Sequence, residues 1–411
     1  MSAVSGYFRI TAAENHSFQW RRSKQAIFRI EENDMSTFTL TTEAPLGAST
    51  VRRFATSGVC KILTSAALLL CCVGVASAQE AFLPTPARSV STVPSNGDVN
   101  PYGVAFVGNN FLTGSGPLQH GDILVSNFNN KNNLQGTGST IVRIPKSGKA
   151  PTVFFQGTPP LGLSTGLATL QYGFVLVTNL PTADGTSATA KAGSLLVINN
   201  KGQLIQTFTS SAIDGPWDMT VVDQGDKAIA FFSNALSGTV GRIDFAVTEK
   251  GLTKLNHYII ASGYMHQGDP AALFDAPTGL VYDKRSDRLF VASTLDNLVF
   301  AVPQAATRTS SDGPGYIVYD DPTHLHGALA MAEAPNGHLL VTNNDVINAD
   351  ANQPSEIVEF TKDGNFVKEI PVDPNLGGSF GLAVSSHDHD TAILAAVDDN
   401  TATLTIWTIT M

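Results

Sequence analysis

Residues Asp275 to Val302 read DAPTGLVYDKRSDRLFVASTLDNLVFAV, and their layout recurs in five other stretches of the 411-residue chain. The apolar run at Gly279, Leu280 and Val281 is a first strand, Lys284 to Asp287 a polar turn, and Leu289 to Ala292 a second strand. Ser293-Thr294-Leu295-Asp296-Asn297 then breaks the β pattern with small and amide side chains, which favour turns, and Leu298 to Val302 is a third strand.

The six openings fall at Gly103, Gly166, Trp217, Gly279, Gly327 and Gly381, spaced by 63, 51, 62, 48 and 54 residues. A period of about 50 with four strands per unit is the mark of a β-propeller, whereas a β-sandwich has no reason to repeat one turn six times. The expected fold is therefore all-β, a six-bladed β-propeller of four-stranded antiparallel blades. The sixth repeat runs out one strand short, and the alternating segment Ser89 to Val93 has no blade of its own. Pairing the two closes the ring with an N-terminal strand and removes two exposed edges.

The repeats resemble the NHL family of six-bladed propellers, whose blades read Pro-x-Gly-Val-Ala in the first strand and Val-Ala-Asp-x-x-Asn after the second. The matching residues are Pro101-Tyr102-Gly103-Val104-Ala105, Pro277-Thr278-Gly279-Leu280, and the post-strand residues Asn127, Asn179, Asn234, Asp296, Asn343 and Asp398. The resemblance covers roughly residues 85 to 411 and implies a fold whose members bind proteins, bind carbohydrates, or catalyse hydrolysis or elimination. Asp214-Gly215-Pro216-Trp217 is distantly similar to the Glu-Gly-Pro-x-Trp opening of gluconolactonase-like propellers, whose glutamate binds metal. Here Asp replaces Glu, in the third repeat.

Lys and Arg total 25 against 35 Asp and Glu, so the clustered cations that a nucleic-acid partner requires are missing. All three cysteines, Cys60, Cys71 and Cys72, fall in one N-terminal apolar stretch. There Arg52, Arg53 and Lys61 precede the run Ile62 to Val75, and Ala76-Ser77-Ala78 has the small-x-small pattern of a signal-peptidase site. The run is shorter than a membrane span. The chain thus divides into a leader extension (1–50, with Met35 as an alternative start), a signal peptide (51–78), a linker with the closing strand (79–99) and the propeller (100–411). The mature protein is expected to be secreted or periplasmic, monomeric, cysteine-free and without a membrane span. Sequencing the N-terminus of exported protein should return Gln79 as the first residue; cytosolic protein that keeps Met1 would contradict this.

In an antiparallel meander the second-to-third turn and the entry to the next blade share one face. Asn127, Asn179, Asn234, Asp296, Asn343 and Asp398 are therefore expected to ring the mouth of the channel as ligand-binding residues. The residues before the first strands, Asp214, Asp275, His324 and His326, are the expected metal ligands. In His324-Leu325-His326 alternate residues of an extended segment point the same way. Carboxylates and amide oxygens suit Ca²⁺, and the two histidines favour Zn²⁺. Asn and Asp also cap turns in every blade for structural reasons alone. The chain has no phosphate loop or dinucleotide fingerprint. Two functions fit: a non-catalytic propeller that binds a small molecule, carbohydrate or protein on its loop-rich face, or a metal-dependent hydrolase or lyase acting there.

Overall fold

The computed structural model of the protein describes residues 87–158, 161–386 and 391–410. The leader and its cleavage position lie outside the described residues. Blade 1 runs through Val99–Phe106, Ile123–Asn129, Thr140–Ile144 and Thr152–Gln156, and blade 2 through Leu163–Leu170, Phe174–Asn179, Ser194–Asn199 and Leu204–Phe208. Blade 3 comprises Pro216–Asp223, Lys227–Asn234, Thr239–Thr248 and Gly251–Ser262, and blade 4 Pro277–Asp283, Arg288–Ser293, Leu298–Pro303 and Tyr316–Tyr319. Blade 5 is formed by Ala328–Glu333, Leu339–Asn343, Glu356–Phe360 and Phe366–Pro371. In blade 6, Ser379–Ser386, Thr391–Asp398 and Thr403–Thr410 are completed by Ala87–Ser91. Every sheet is antiparallel, and each first strand packs against the next around a closed ring.

The closing strand pairs Ala87 with Trp407 through to Ser91 with Thr403. It ends two residues before the expected Val93. The N–H and Oγ1 of Thr92 both donate to the Ala402 carbonyl (3.0 and 2.9 Å), which anchors the chain in a turn ahead of Pro94.

The repeated letters have a mechanical cause. Each inner strand is irregular at its start, with the register shifting between Pro101 and Val104, Pro277 and Leu280, and their equivalents. The irregularity leaves a backbone N–H to be satisfied, and the Ser or Thr before the blade's Asn accepts it. Ser126 serves Gly103, Thr178 serves Gly166, Ser233 serves Asp218 and Thr342 serves Ala330, all at 2.9 to 3.0 Å. The signature glycine lets neighbouring inner strands approach: a Cβ on Gly279 would lie 2.4 Å from the Leu329 carbonyl oxygen and 2.6 Å from the Met331 nitrogen. Both are backbone atoms that cannot swing aside. Gly279→Ala is therefore expected to cost roughly 2–4 kcal/mol, read by urea unfolding. An unchanged midpoint would show that the ring can widen there.

Between blades, alternate side chains interlock as a dry core. Val281, Phe290 and Ala292 of blade 4 meet Met331, Val341 and Phe360 of blade 5, and Tyr319 stacks on Phe360 with centroids 4.3 Å apart. One insertion departs from the four-stranded pattern, a hairpin of Gln267–Asp269 with Leu273–Asp275 between blades 3 and 4.

Candidate functional site: a mouth cavity beside a buried His-Asp-Glu cluster

Aromatic side chains from separate blades fill the channel beneath its loop-rich mouth. Tyr102 meets Trp217 and Phe380 edge-on at 5.8 and 4.9 Å, and Phe128 meets Trp217 at 5.4 Å. The Trp217 indole N–H donates to the Tyr102 hydroxyl at 3.0 Å, so the group's polar atoms are paired within the apolar packing. Burial holds the Tyr102 phenol far above its ordinary pKa. Above this floor lies a cavity of about 360 Å³, walled by the loops after the second strands of blades 1, 5 and 6 and roofed by the hairpin tip at Ala271 and Ala272. Gln135 Nε2 donates to the Ala271 carbonyl at 2.6 Å and ties the roof to the blade 1 loop. A second space of about 280 Å³, lined by the inner strands, lies on the other side of Tyr102.

The post-strand residues turn inward to their own blades. The Asn179 carbonyl oxygen accepts the Gly162 N–H at 2.9 Å, and those of Asn234 and Asn343 accept the Asp214 and His326 N–H groups at 3.0 Å. Their amide nitrogens donate to the first residue of the third strand: Asn127 to Thr140, Asn179 to Ser194 and Asn234 to Thr239. Asp398 accepts from Thr401. In blade 4 Ser293 holds the equivalent position and donates to Asp296 at 2.6 Å. The four asparagines thus fix the entries to blades 1, 2, 3 and 5, with Asn127, Asn234 and Asn343 fully buried, while Asp398 and Ser293 bond within the turns that follow them.

Blade 5 breaks this rule in one residue. Where blades 1, 2 and 3 place Thr or Ser opposite the Asn, it places Glu356, whose Oε2 accepts from Asn343 Nδ2 at 3.0 Å. His326 enters the blade two residues before the inner strand, with its Nδ1 3.6 Å from Glu356 Oε2. Asp345 follows Asn343 by two residues at a left-handed φ of 59°, held there by its N–H to the His326 carbonyl at 2.7 Å. Its Oδ2 accepts the Ser355 and Gly377 N–H groups, both at 2.9 Å. Ligand atoms of His326, Asp345 and Glu356 all lie within 4.8 Å of one another, and all three side chains are buried.

Each of the three also carries a buried atom with no hydrogen-bond partner: His326 Nδ1, Asp345 Oδ1 and Glu356 Oε1. A buried polar atom without a partner costs about 1–3 kcal/mol, so one on each of three residues whose ligand atoms converge marks a place that a further atom would suit. Burial pushes the Glu356 carboxyl up, against the Asn343 hydrogen bond, and the neighbouring Asp345 adds to the rise. One imidazole nitrogen with two carboxylate oxygens suits a first-row transition metal such as Zn²⁺ or Mn²⁺, whereas Ca²⁺ takes six to eight oxygens.

The four residues expected from the sequence to hold a metal are not brought together. His324 lies in a turn, with its N–H and that of Leu325 both bonded to the Asp321 carbonyl, so the alternation of an extended segment does not apply. Its imidazole pairs with Asp321 at 2.7 Å and stacks on Phe366. Asp214 and Asp275 occupy in blades 3 and 4 the place His326 holds in blade 5. Asp214 sits half-buried at the blade entry, and the Asp275 carboxyl, pushed up by burial, accepts from Gln267 at 3.2 Å. Of the expected set His326 alone joins the cluster.

Asp399 lies half-buried in the cavity wall, where burial and the adjacent Asp398 push its carboxyl up to about 7. The folded protein thus holds this proton more tightly than the unfolded chain, whose carboxyl titrates near 3.8. Ionising it costs stability progressively from about pH 4 to about pH 7 and by a constant amount above. Asp399→Asn is expected to stabilise the protein by on the order of 2 kcal/mol at pH 8 and to change little at pH 4. Urea midpoints at the two pH values check this; equal shifts at both would contradict it.

No family model and no curated protein matches the sequence. Similar solved structures include a catalytically inactive virginiamycin B lyase from Staphylococcus aureus with quinupristin (16% identity, 79% of this chain and 100% of that chain, TM-score 0.45). Others are regucalcin, a calcium-binding protein from Agrobacterium tumefaciens (13%, 78% and 94%, 0.46), and a nidogen/laminin complex (12%, 64% and 88%, 0.42). Likenesses at 12–16% identity assign no function, which has to be argued from the site.

Proposed function

We propose that the protein is a non-catalytic ligand-binding propeller whose mouth cavity takes a small molecule and whose cavity wall is set by a divalent transition-metal ion on His326, Asp345 and Glu356. The observation that carries the reading is Asp345. It lines the cavity, carries a buried oxygen without a hydrogen-bond partner, and brings a carboxylate oxygen within 4.8 Å of ligand atoms of the buried His and Glu. A cation there would neutralise two buried carboxylates and fix the segment Asn344 to Val346 along the wall. The rigid floor of Tyr102 and Trp217 would supply apolar contact to the ligand.

A second reading, a metal-assisted hydrolase or lyase at the same face, is favoured by Asp399, whose carboxyl near 7 is suited to proton transfer. The two readings are separated by product analysis of whatever compound binds.

A thermal-shift screen of small molecules against the Zn²⁺- or Mn²⁺-loaded protein tests the binding reading. Hits are expected to weaken at least tenfold after chelation and in Glu356→Gln. Hits that bind equally well in the chelated protein and the variant would remove the cation from ligand binding.

A further inference from the structure

Polar atoms on the wall of the mouth cavity are unbalanced in kind. Asn129 is 1% exposed, and its Oδ1 has no hydrogen-bond partner. The orientation of that amide is fixed, because its nitrogen donates to Asn133 Oδ1 at 2.7 Å. Asn100, also on the wall, has a buried Oδ1 without a partner too, and adopts a left-handed φ of 56° at the entry to blade 1. Asp399 adds a carboxyl. Among the described residues, no lysine, arginine or histidine lines the cavity. Acceptor oxygens therefore share the cavity with an electron-rich aromatic floor that includes Tyr102 and Trp217, and no lining side chain carries a positive charge. Such a surround favours a ligand that donates hydrogen bonds and carries positive charge, since acceptors and ring faces both attract cations.

We propose that the mouth cavity binds a small organic ammonium with an apolar body, its N–H groups donated to Asn129 Oδ1, Asn100 Oδ1 and the Asp399 carboxylate and its body set against the aromatic floor. This rests on the ligand-binding reading above and names its ligand class. A cationic ligand would hold Asp399 ionised, against the burial and the Asp398 charge that otherwise favour its proton. Cavity size accords with a compound of about ten non-hydrogen atoms.

Isothermal titration of the metal-loaded protein with four probes of similar size tests the proposal: 2-phenylethylammonium, its neutral isostere 2-phenylethanol, the anion 3-phenylpropanoate, and glucose. The ammonium is expected to bind at least tenfold more tightly than the alcohol, with no binding of the anion. Asp399→Asn, which keeps the side-chain shape, should erase most of that preference. Equal binding of ammonium and alcohol, or tighter binding of glucose or the anion, would overturn the ammonium assignment while leaving a ligand-binding cavity in place. No binding of any probe would also overturn it, and the metal dependence of the broader screen would then judge the ligand-binding reading separately.

Discussion

His326→Ala is expected to weaken divalent-metal binding by at least about 100-fold while the propeller stays folded. Loss of a residue that merely supports a ligand already costs about 10- to 100-fold, and removal of a ligand should exceed that. The fold should survive because the anchoring hydrogen bond runs from the His326 backbone N–H to Asn343, which alanine retains, while its imidazole meets Glu356 at 3.6 Å, beyond hydrogen-bond distance. Metal at a hundred times its dissociation constant stabilises a protein by about 2.7 kcal/mol. For a body of this size that is a rise of roughly 3–5 °C in melting temperature, present in the wild type and absent in the variant. Glu356→Gln should behave alike, since the amide keeps the shape and the link to Asn343 but loses the charge. A variant that still binds metal with wild-type affinity would place the ion elsewhere.

Removing the closing strand should have the largest effect on stability. Ala87–Ser91 supplies the outer edge of blade 6 through its ladder with Thr403–Thr410 and through the Ser89–Thr405 hydroxyl contact at 3.0 Å. The following residue extends the effect into blade 1, because the Thr92 carbonyl accepts from Asn127 Nδ2 at 3.1 Å. Deleting residues 85–95 abolishes five or more hydrogen bonds of about 1 kcal/mol each and exposes a fresh edge, for a loss on the order of 5 kcal/mol. The deleted protein should melt well below the parent and aggregate on concentration, as light scattering would record. Unchanged melting and solubility would mean that blade 6 is self-sufficient with three strands.

The ring was legible because its mechanical needs recur. In four blades the irregular start of the inner strand is capped by a hydroxyl and the entry is held by an amide, so Ser126-Asn127, Thr178-Asn179, Ser233-Asn234 and Thr342-Asn343 appear as one repeated phrase. The same regularity concealed the candidate metal site. Glu356 reads as an ordinary strand start, and its significance appears only when it is aligned with Thr140, Ser194, Thr239 and Thr403, the residues that open the third strands of blades 1, 2, 3 and 6. Asp345 stands out as an ionisable loop residue, but its approach to His326 depends on a left-handed backbone that no local letter announces. The aromatic floor left no signal of its own, since Tyr102, Phe128, Trp217 and Phe380 come from three blades and meet only in the closed ring.

Elemental analysis of the purified protein, followed by melting with and without a chelator, tests the central claim most directly. The proposed site predicts one equivalent of a transition metal per chain after loading, a melting temperature that falls on chelation, and recovery on adding Zn²⁺ or Mn²⁺. Protein that takes up no metal and melts at the same temperature with chelator, with Zn²⁺ and with Mn²⁺ would contradict it, leaving His326, Asp345 and Glu356 as a buried cluster with no cation to hold.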